Sequence, residues 1–254
     1  MDPENVSRET LRVATALEQL RSQAKEWGIE LDRTQVALLA TYTELLAGYE
    51  LANVIGTKDR EQILLEHVLD SLSCLLAEHV RWGTSAIDIG AGGGLPGIPL
   101  SIVCPELKVT LLEATEKKVR FLEHARAKLS LGNLEVLHGR AEDAGRKPGY
   151  RESFDVATAR ALATLPVLLE YCAPLVRPGG TILAMKGRLQ EQELSQGIAA
   201  SYELGVQLRE VLKIDYGAQL PQKERRLVVF DKVYATPSKF PRRVGLAKKR
   251  PLAA

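Results

Sequence analysis

Asp88-Ile89-Gly90-Ala91-Gly92-Gly93-Gly94-Leu95-Pro96-Gly97-Ile98-Pro99 is the stretch on which the fold turns. Ser85–Ile89, which runs into it, has the length and apolar character of a buried strand, and the residues beyond it open a helix. Glycines at such a junction let the chain turn sharply and let a ligand reach the backbone where a Cβ would block it. The following helix start offers unpaired N–H groups. Five glycines in eight positions are more than a tight turn without a ligand demands.

Outward from this loop, short apolar runs alternate with amphipathic segments. Val109–Leu112, Leu134–Leu137, Asp155–Thr158 and Thr181–Met185 read as strands, with Lys117–Leu129 and Leu165–Leu175 as helices between them. Alternation of this kind implies parallel β-α-β units with right-handed crossovers. Val211–Ile214 and Arg226–Phe230 follow closely on one another and read as an antiparallel hairpin closing the sheet edge. Upstream the pattern is helical. Leu11, Ala14, Leu17, Leu20, Ala24 and Trp27 recur at helical spacing before a stop at Gly28. Asp32 is placed to cap a second helix with Val36, Leu39, Ala40, Thr43 and Leu46 inside, and Asp59 to cap a third carrying Ile63, His67, Leu69 or Asp70, and Leu72. The expected architecture is α/β, a Rossmann-like, mostly parallel seven-stranded sheet behind a helical extension. Its divisions are 1–82 (helical), 83–235 (ligand-binding sheet) and 236–254 (basic tail).

Length and composition set bounds. A chain of 254 residues, 45% apolar and 26% charged, holds one sizeable core. It has no apolar run near the roughly 18 residues of a membrane span. Met1-Asp2-Pro3-Glu4 lacks the features of a secretory signal, so a cytoplasmic protein without a membrane partner is expected. Cys74, Cys104 and Cys172 are odd in number and far apart, which indicates neither a disulfide framework nor a zinc site. No metal is expected. The net charge of +2 conceals an asymmetry: beyond Asp231 there is no acid, but Lys232, Lys239, Arg242, Arg243, Lys248, Lys249 and Arg250 are basic. The body is therefore acidic. Such an arm either touches an anionic partner or is simply solvated.

Two ligands compete for the loop. A dinucleotide needs GxGxxG at the strand end, and counting from Gly90 the third glycine position holds Leu95. Counting from Gly92 restores the spacing two residues too late. Asp88, just ahead of the loop, would repel a pyrophosphate and welcome an ammonium. Asp88, Gly90 and Gly92 thus favour S-adenosylmethionine, whose methionine end is cationic. Glu113 closes the second strand 23 residues past Gly90, where an acid accepts ribose hydroxyls. Ala141-Glu142-Asp143 follows the third strand and would lie over the adenine. Arg160, at the end of the fourth strand, reads as an ion-pair partner or a substrate-phosphate contact, and Lys186, at the end of the fifth, as a rim residue; these two are also the candidates for a catalytic role.

With these pieces assembled, the chain resembles the RsmG (GidB) family, bacterial methyltransferases of 16S ribosomal RNA. The resemblance rests on His67-Val68-Leu69-Asp70-Ser71-Leu72, the glycine stretch with its paired prolines, Lys117-Lys118-Val119-Arg120-Phe121-Leu122, Gly139-Arg140-Ala141-Glu142, Thr158-Ala159-Arg160-Ala161, Ala184-Met185-Lys186-Gly187 and Phe240-Pro241-Arg242-Arg243-Val244-Gly245. It implies a class I methyltransferase fold, a substrate in 16S rRNA or the small subunit, and methylation at guanine N7. Cofactor contacts would then fall on Gly90, Leu95, Glu113, Ala114, Thr115, Ala141, Glu142 and Arg160. The region of Gly48-Tyr49 and Asn53-Val54-Ile55 departs from the family pattern.

Guanine N7 carries an exposed lone pair, so transfer to it needs alignment rather than a general base. That fits a sequence with no obvious nucleophile–base pair, and His67 beside Asp70 reads as structural. RNA contact would fall to Lys239, Arg242, Arg243, Lys248, Lys249 and Arg250, on a protein expected to be monomeric. A protein or small-molecule methyltransferase would leave those residues idle. Against a cofactor sensor, or a structural module that has lost catalysis, stand the intact Asp88, Gly90, Gly92 and Glu113, and an NAD oxidoreductase fails on loop register.

Overall fold

Seven strands form one sheet in the order β3-β2-β1-β4-β5-β7-β6, as seen in a computed structural model that describes residues 3–77, 85–217 and 224–253, with side chains from residue 8 onward. β1 (Ser85–Ile89), β2 (Lys108–Glu113), β3 (Leu134–His138), β4 (Phe154–Arg160) and β5 (Val176–Lys186) are parallel. β6 (Val206–Lys213) and β7 (Arg226–Lys232) form the closing antiparallel pair, with β7 inserted against β5. The order reverses between β1 and β4, and open α/β sheets bind ligands at the carboxyl end of that switch point.

Strand alternation divides the core. Ala86, Val109, Leu111, Val156, Leu183 and Val229 face one cluster; Ile87, Ile89, Leu112, Ala157, Ala184, Val228 and Phe230 face the other. Into the first pack α1 (Pro3–Glu26), α2 (Arg33–Gly48), the π-helical turn Ile63–Val68 that follows the short α3 (Arg60–Gln62), α4 (Leu69–Leu72), α5 (Gly97–Val103) and α6 (Glu116–Leu129). The second is covered by α7 (Ala141–Ala144), α8 (Leu165–Cys172), α9 (Glu191–Leu204) and α10 (Leu246–Lys249). Buried residues of the helical extension, such as Leu20, Leu39 and Leu64, share one cluster with the sheet. The expected boundary at 82/83 lies outside the described residues.

Asp32 caps α2 through a reciprocal box with Gln35, and Asp59 caps α3 at Gln62. Three expectations shift, and one helix was not expected. The buried row of α1 is Val13, Ala16, Leu17, Leu20 and Ala24, spaced by three and four, which leaves Leu11 and Ala14 on the exposed row beside it. α8 ends at Cys172 rather than Leu175, one residue before Ala173-Pro174. α9 buries mostly small residues: Gly197, Ala200 and Ser201 with Leu204 make its buried face, and a Cβ on Gly197 would lie 2.8 Å from that of Leu165. β6 starts at Val206 because its polar residues Gln207, Arg209 and Glu210 lie on a sheet edge. Cys74 and Cys172 are buried free thiols. No described helix is long and apolar enough to cross a membrane.

Candidate active site

The glycine loop is held by two carboxylates. Gly90, Gly92 and Gly94 take left-handed backbone angles, φ +71°, +60° and +88°. A Cβ at Gly90 would lie 2.6 Å from Leu162 Cδ1, and one at Gly97 would lie 2.2 Å from Leu111 Cδ2, so a side chain at either would push a neighbouring leucine aside. Glu113 Oε2 accepts from Gly92 N at 2.9 Å and Oε1 from Thr115 N at 2.8 Å. Its carboxylate thereby ties the loop to the end of β2.

Asp88 acts from beneath. Strand alternation turns it, with Ala86, toward the face covered by α5. There Oδ2 accepts from Gly97 N at 2.9 Å and Oδ1 from Thr158 Oγ1 at 3.2 Å, with only 1% of the residue exposed. The expectation that Asp88 faces the ligand is corrected: it pins the first residue of α5. Gly92 gives its N–H to Glu113, and Leu95 is buried in the first core cluster, so neither is on the cavity wall.

Burial pushes the Asp88 carboxyl up from 3.8 to about 6. At roughly 1.4 kcal/mol per pH unit, ionising it costs the folded state about 3 kcal/mol. Below the unfolded value the group is neutral in both states and costs nothing. Between 3.8 and 6 the unfolded chain gives up its proton before the folded one does, so stability falls across that interval and levels off above 6. Asp88→Asn keeps an acceptor for Gly97 and offers an N–H to Thr158. It is expected to gain about 2 kcal/mol on the parent between pH 4.5 and 7.5 in urea unfolding. Parallel stability profiles for the two proteins would refute this.

Glu113 faces a cavity of about 370 Å³ at the carboxyl ends of β1, β2 and β4. Its wall includes Gly90, Ala114, Thr115, Ala141, Glu142, Arg160 and Leu162, so most of the expected contacts converge there. Sequence reasoning missed Lys118 and Tyr171, on α6 and α8, which also line it. Burial, with Glu142 and Glu170 nearby, pushes the Tyr171 phenol up to about 12.

A second cavity of about 280 Å³ adjoins the first, sharing Arg160 and Ala161. Arg160 Nη1 donates to Asp70 Oδ2 at 3.2 Å, and Nη2 lies 3.3 Å from His67 Nδ1. The ion-pair reading of Arg160 therefore holds. Tyr216 donates to Asp70 Oδ1 at 2.6 Å, and Arg225 Nε stands 3.6 Å from the same oxygen. Burial first, and then Arg160, lowers His67 to about 4, which leaves it a neutral and feeble base. Lys186 is not a solvated rim residue: it pairs with Glu193 at 2.7 Å and donates to Ala163 O at 3.0 Å.

The tail is folded onto the body. Arg242 grips buried Glu170 with Nε at 2.9 and 3.0 Å and Nη2 at 2.5 Å, and so is corrected from an RNA contact to a structural ion pair. Lys232, whose side chain is wholly buried, donates to Glu152 at 3.0 Å. Lys239 pairs with Glu203 at 3.4 Å. Arg243, Lys248, Lys249 and Arg250 are exposed. Gly245 N donates to Glu142 Oε1 at 3.0 Å, and Gly245 and Lys248 complete the first cavity's wall.

Residues 35–220 match the family model described as "rRNA small subunit methyltransferase G". A protein of Rubrobacter xylanophilus named ribosomal RNA small subunit methyltransferase G is 48% identical over 94% of this chain and 92% of its own. One of the same name from Moorella thermoacetica is 44% identical over 92% and 97%. Among solved structures, a SAM-dependent methyltransferase from Aquifex aeolicus superposes with a TM-score of 0.52 over 72% of this chain and 98% of that one, at 17% identity, which speaks for the fold. The chain belongs to the GidB family, the rRNA small subunit methyltransferases G.

Proposed function

We propose that this protein transfers a methyl group from S-adenosylmethionine to N7 of a guanine in the RNA of the small ribosomal subunit. The observation that carries this reading is Glu113, fixed by Gly92 and Thr115 and facing a cavity at the switch point of a methyltransferase-family chain. Its carboxylate would accept the ribose hydroxyls, with Gly90, Ala114 and Thr115 around them and Ala141 and Glu142 beside the adenine. The relatives' shared name supports the RNA substrate.

N7 brings its own lone pair, so the protein has only to align it with the methyl carbon and sulfur. No residue need remove a proton. His67, held neutral and hydrogen-bonded to Arg160, fits a structural part. Exposed Lys248, on the cavity wall, with Arg243, Lys249 and Arg250 close to it along the chain, would meet phosphate and make binding fall with salt.

The test is incubation of the full chain with methyl-labelled cofactor and either small subunits or free small-subunit RNA. Nuclease digestion and mass spectrometry then identify the product. Label in 7-methylguanosine is the expected result. Label in another nucleoside or in protein, or none in either substrate, would overturn the reading.

A further inference from the structure

The second cavity is the feature that the cofactor reading leaves unused. It lies on the β5 side of Arg160, with Met185, Lys186 and Gly187 at the end of β5 and Arg225 beside Gly187 at the start of β7. Three cationic side chains, Arg160, Lys186 and Arg225, meet one carboxylate, Asp70, on its wall, and Met185 supplies an apolar surface. A π-helical turn brings His67 to the same place, and such turns recur at functional sites.

Resting on the function proposed above, we propose that this cavity receives the target guanine itself, drawn out of its RNA stack. Enzymes that modify a base inside folded nucleic acid commonly extrude it into a separate pocket. The cavity's roughly 280 Å³ is close to the lower end of small-ligand sites, about 300–1,000 Å³.

The guanine edge that must face the methyl donor also carries O6, an acceptor beside N7. Arg160 stands where the two cavities meet, so its guanidinium is the donor nearest to that edge. Asp70 holds this guanidinium from behind and is itself held by Tyr216. The bound base therefore meets Arg160 in a fixed pose. An adenine would present its N6 amino group, a donor, to the same guanidinium. Arg225, 27% exposed in its side chain, flanks Asp70 beside Gly187 on the same cavity, where a cation suits the nucleotide's phosphate.

Gly187 provides a clean test. A Cβ added there would have only ordinary contacts, 3.7 Å from Arg225 Nη1 and 3.9 Å from Glu224 O, so a larger side chain would occupy the cavity without breaking the backbone. Neither Gly187 nor Arg225 lines the cofactor cavity. Gly187→Leu and Arg225→Ala are compared with the parent by calorimetric titration of S-adenosylmethionine and by single-turnover methylation of small subunits. Cofactor affinity is expected within twofold of the parent for both variants. Transfer is expected to fall at least 100-fold for Gly187→Leu and at least 10-fold for Arg225→Ala. Transfer within twofold of the parent in both, with cofactor binding intact, would overturn the assignment of this cavity. Should Gly187→Leu fail to fold, Arg225→Ala decides by the same readings. If the parent itself neither bound the cofactor nor methylated subunits, the earlier reading would fall instead.

Discussion

Glu113→Ala is expected to weaken S-adenosylmethionine binding by at least 100-fold while the protein still folds. Two losses combine. The carboxylate now accepts from Gly92 N and Thr115 N, and hydrogen bonds to a charged group contribute about 1.5–3 kcal/mol each. Without them the glycine loop loses its tie to the end of β2. The ribose hydroxyls of the cofactor lose their acceptor as well. Glu113→Gln should lie between parent and alanine variant, because an amide can accept from only one of the two backbone N–H groups and turns its own N–H₂ toward the other. Isothermal titration calorimetry checks the series, with circular dichroism to follow folding. Equal affinity in parent and Glu113→Ala would remove this residue from the site.

Arg242→Ala is expected to lower the melting temperature by about 10 °C and to leave the protein's intrinsic affinity for RNA phosphate nearly unaltered when measured well below that temperature. Glu170 is only 1% exposed, and Arg242 is its bidentate partner. Stripping one side of a buried pair leaves an uncompensated charge, at a cost of about 3–5 kcal/mol. For a chain of this size each kcal/mol moves the melting point by about 2–4 °C. Replacing both partners, as Glu170→Leu with Arg242→Met, should recover most of the loss, since no charge then remains inside. Differential scanning calorimetry with a salt series of RNA binding separates the two readings of this arginine. A variant with the parent's melting point and a shallower salt slope would return Arg242 to the RNA contacts.

The sheet was legible because its evidence is local: a strand, a glycine turn and a helix are written consecutively between Ser85 and Val103. So were the caps at Asp32 and Asp59, whose partners stand three residues away. Glu113 could be found from its distance to Gly90 along two adjacent strands. What escaped depended on direction or on distance along the chain. The side of β1 on which Asp88 points is set by what covers each face, which its position ahead of the glycines does not reveal. Asp70 meets Tyr216 across 146 positions, and no local pattern marks either as the other's partner. The basic residues of the tail look alike in sequence. Only the fold assigns Glu170 to Arg242 and Glu152 to Lys232, leaving Arg243, Lys248, Lys249 and Arg250 outside. α9 escaped because glycine, alanine and serine make close helix contacts without leaving an apolar signature.

The turn after β1 is braced from two sides, at Gly92 by Glu113 and at Gly97 by Asp88. Its amides are therefore already aimed when a ligand arrives, and the entropy of ordering them was surrendered during folding rather than at the encounter. Occupied and empty proteins should share one shape here, like a socket machined before its plug. Slow deuterium uptake at Gly92 and Gly97 without any ligand would be the signature of that rigidity.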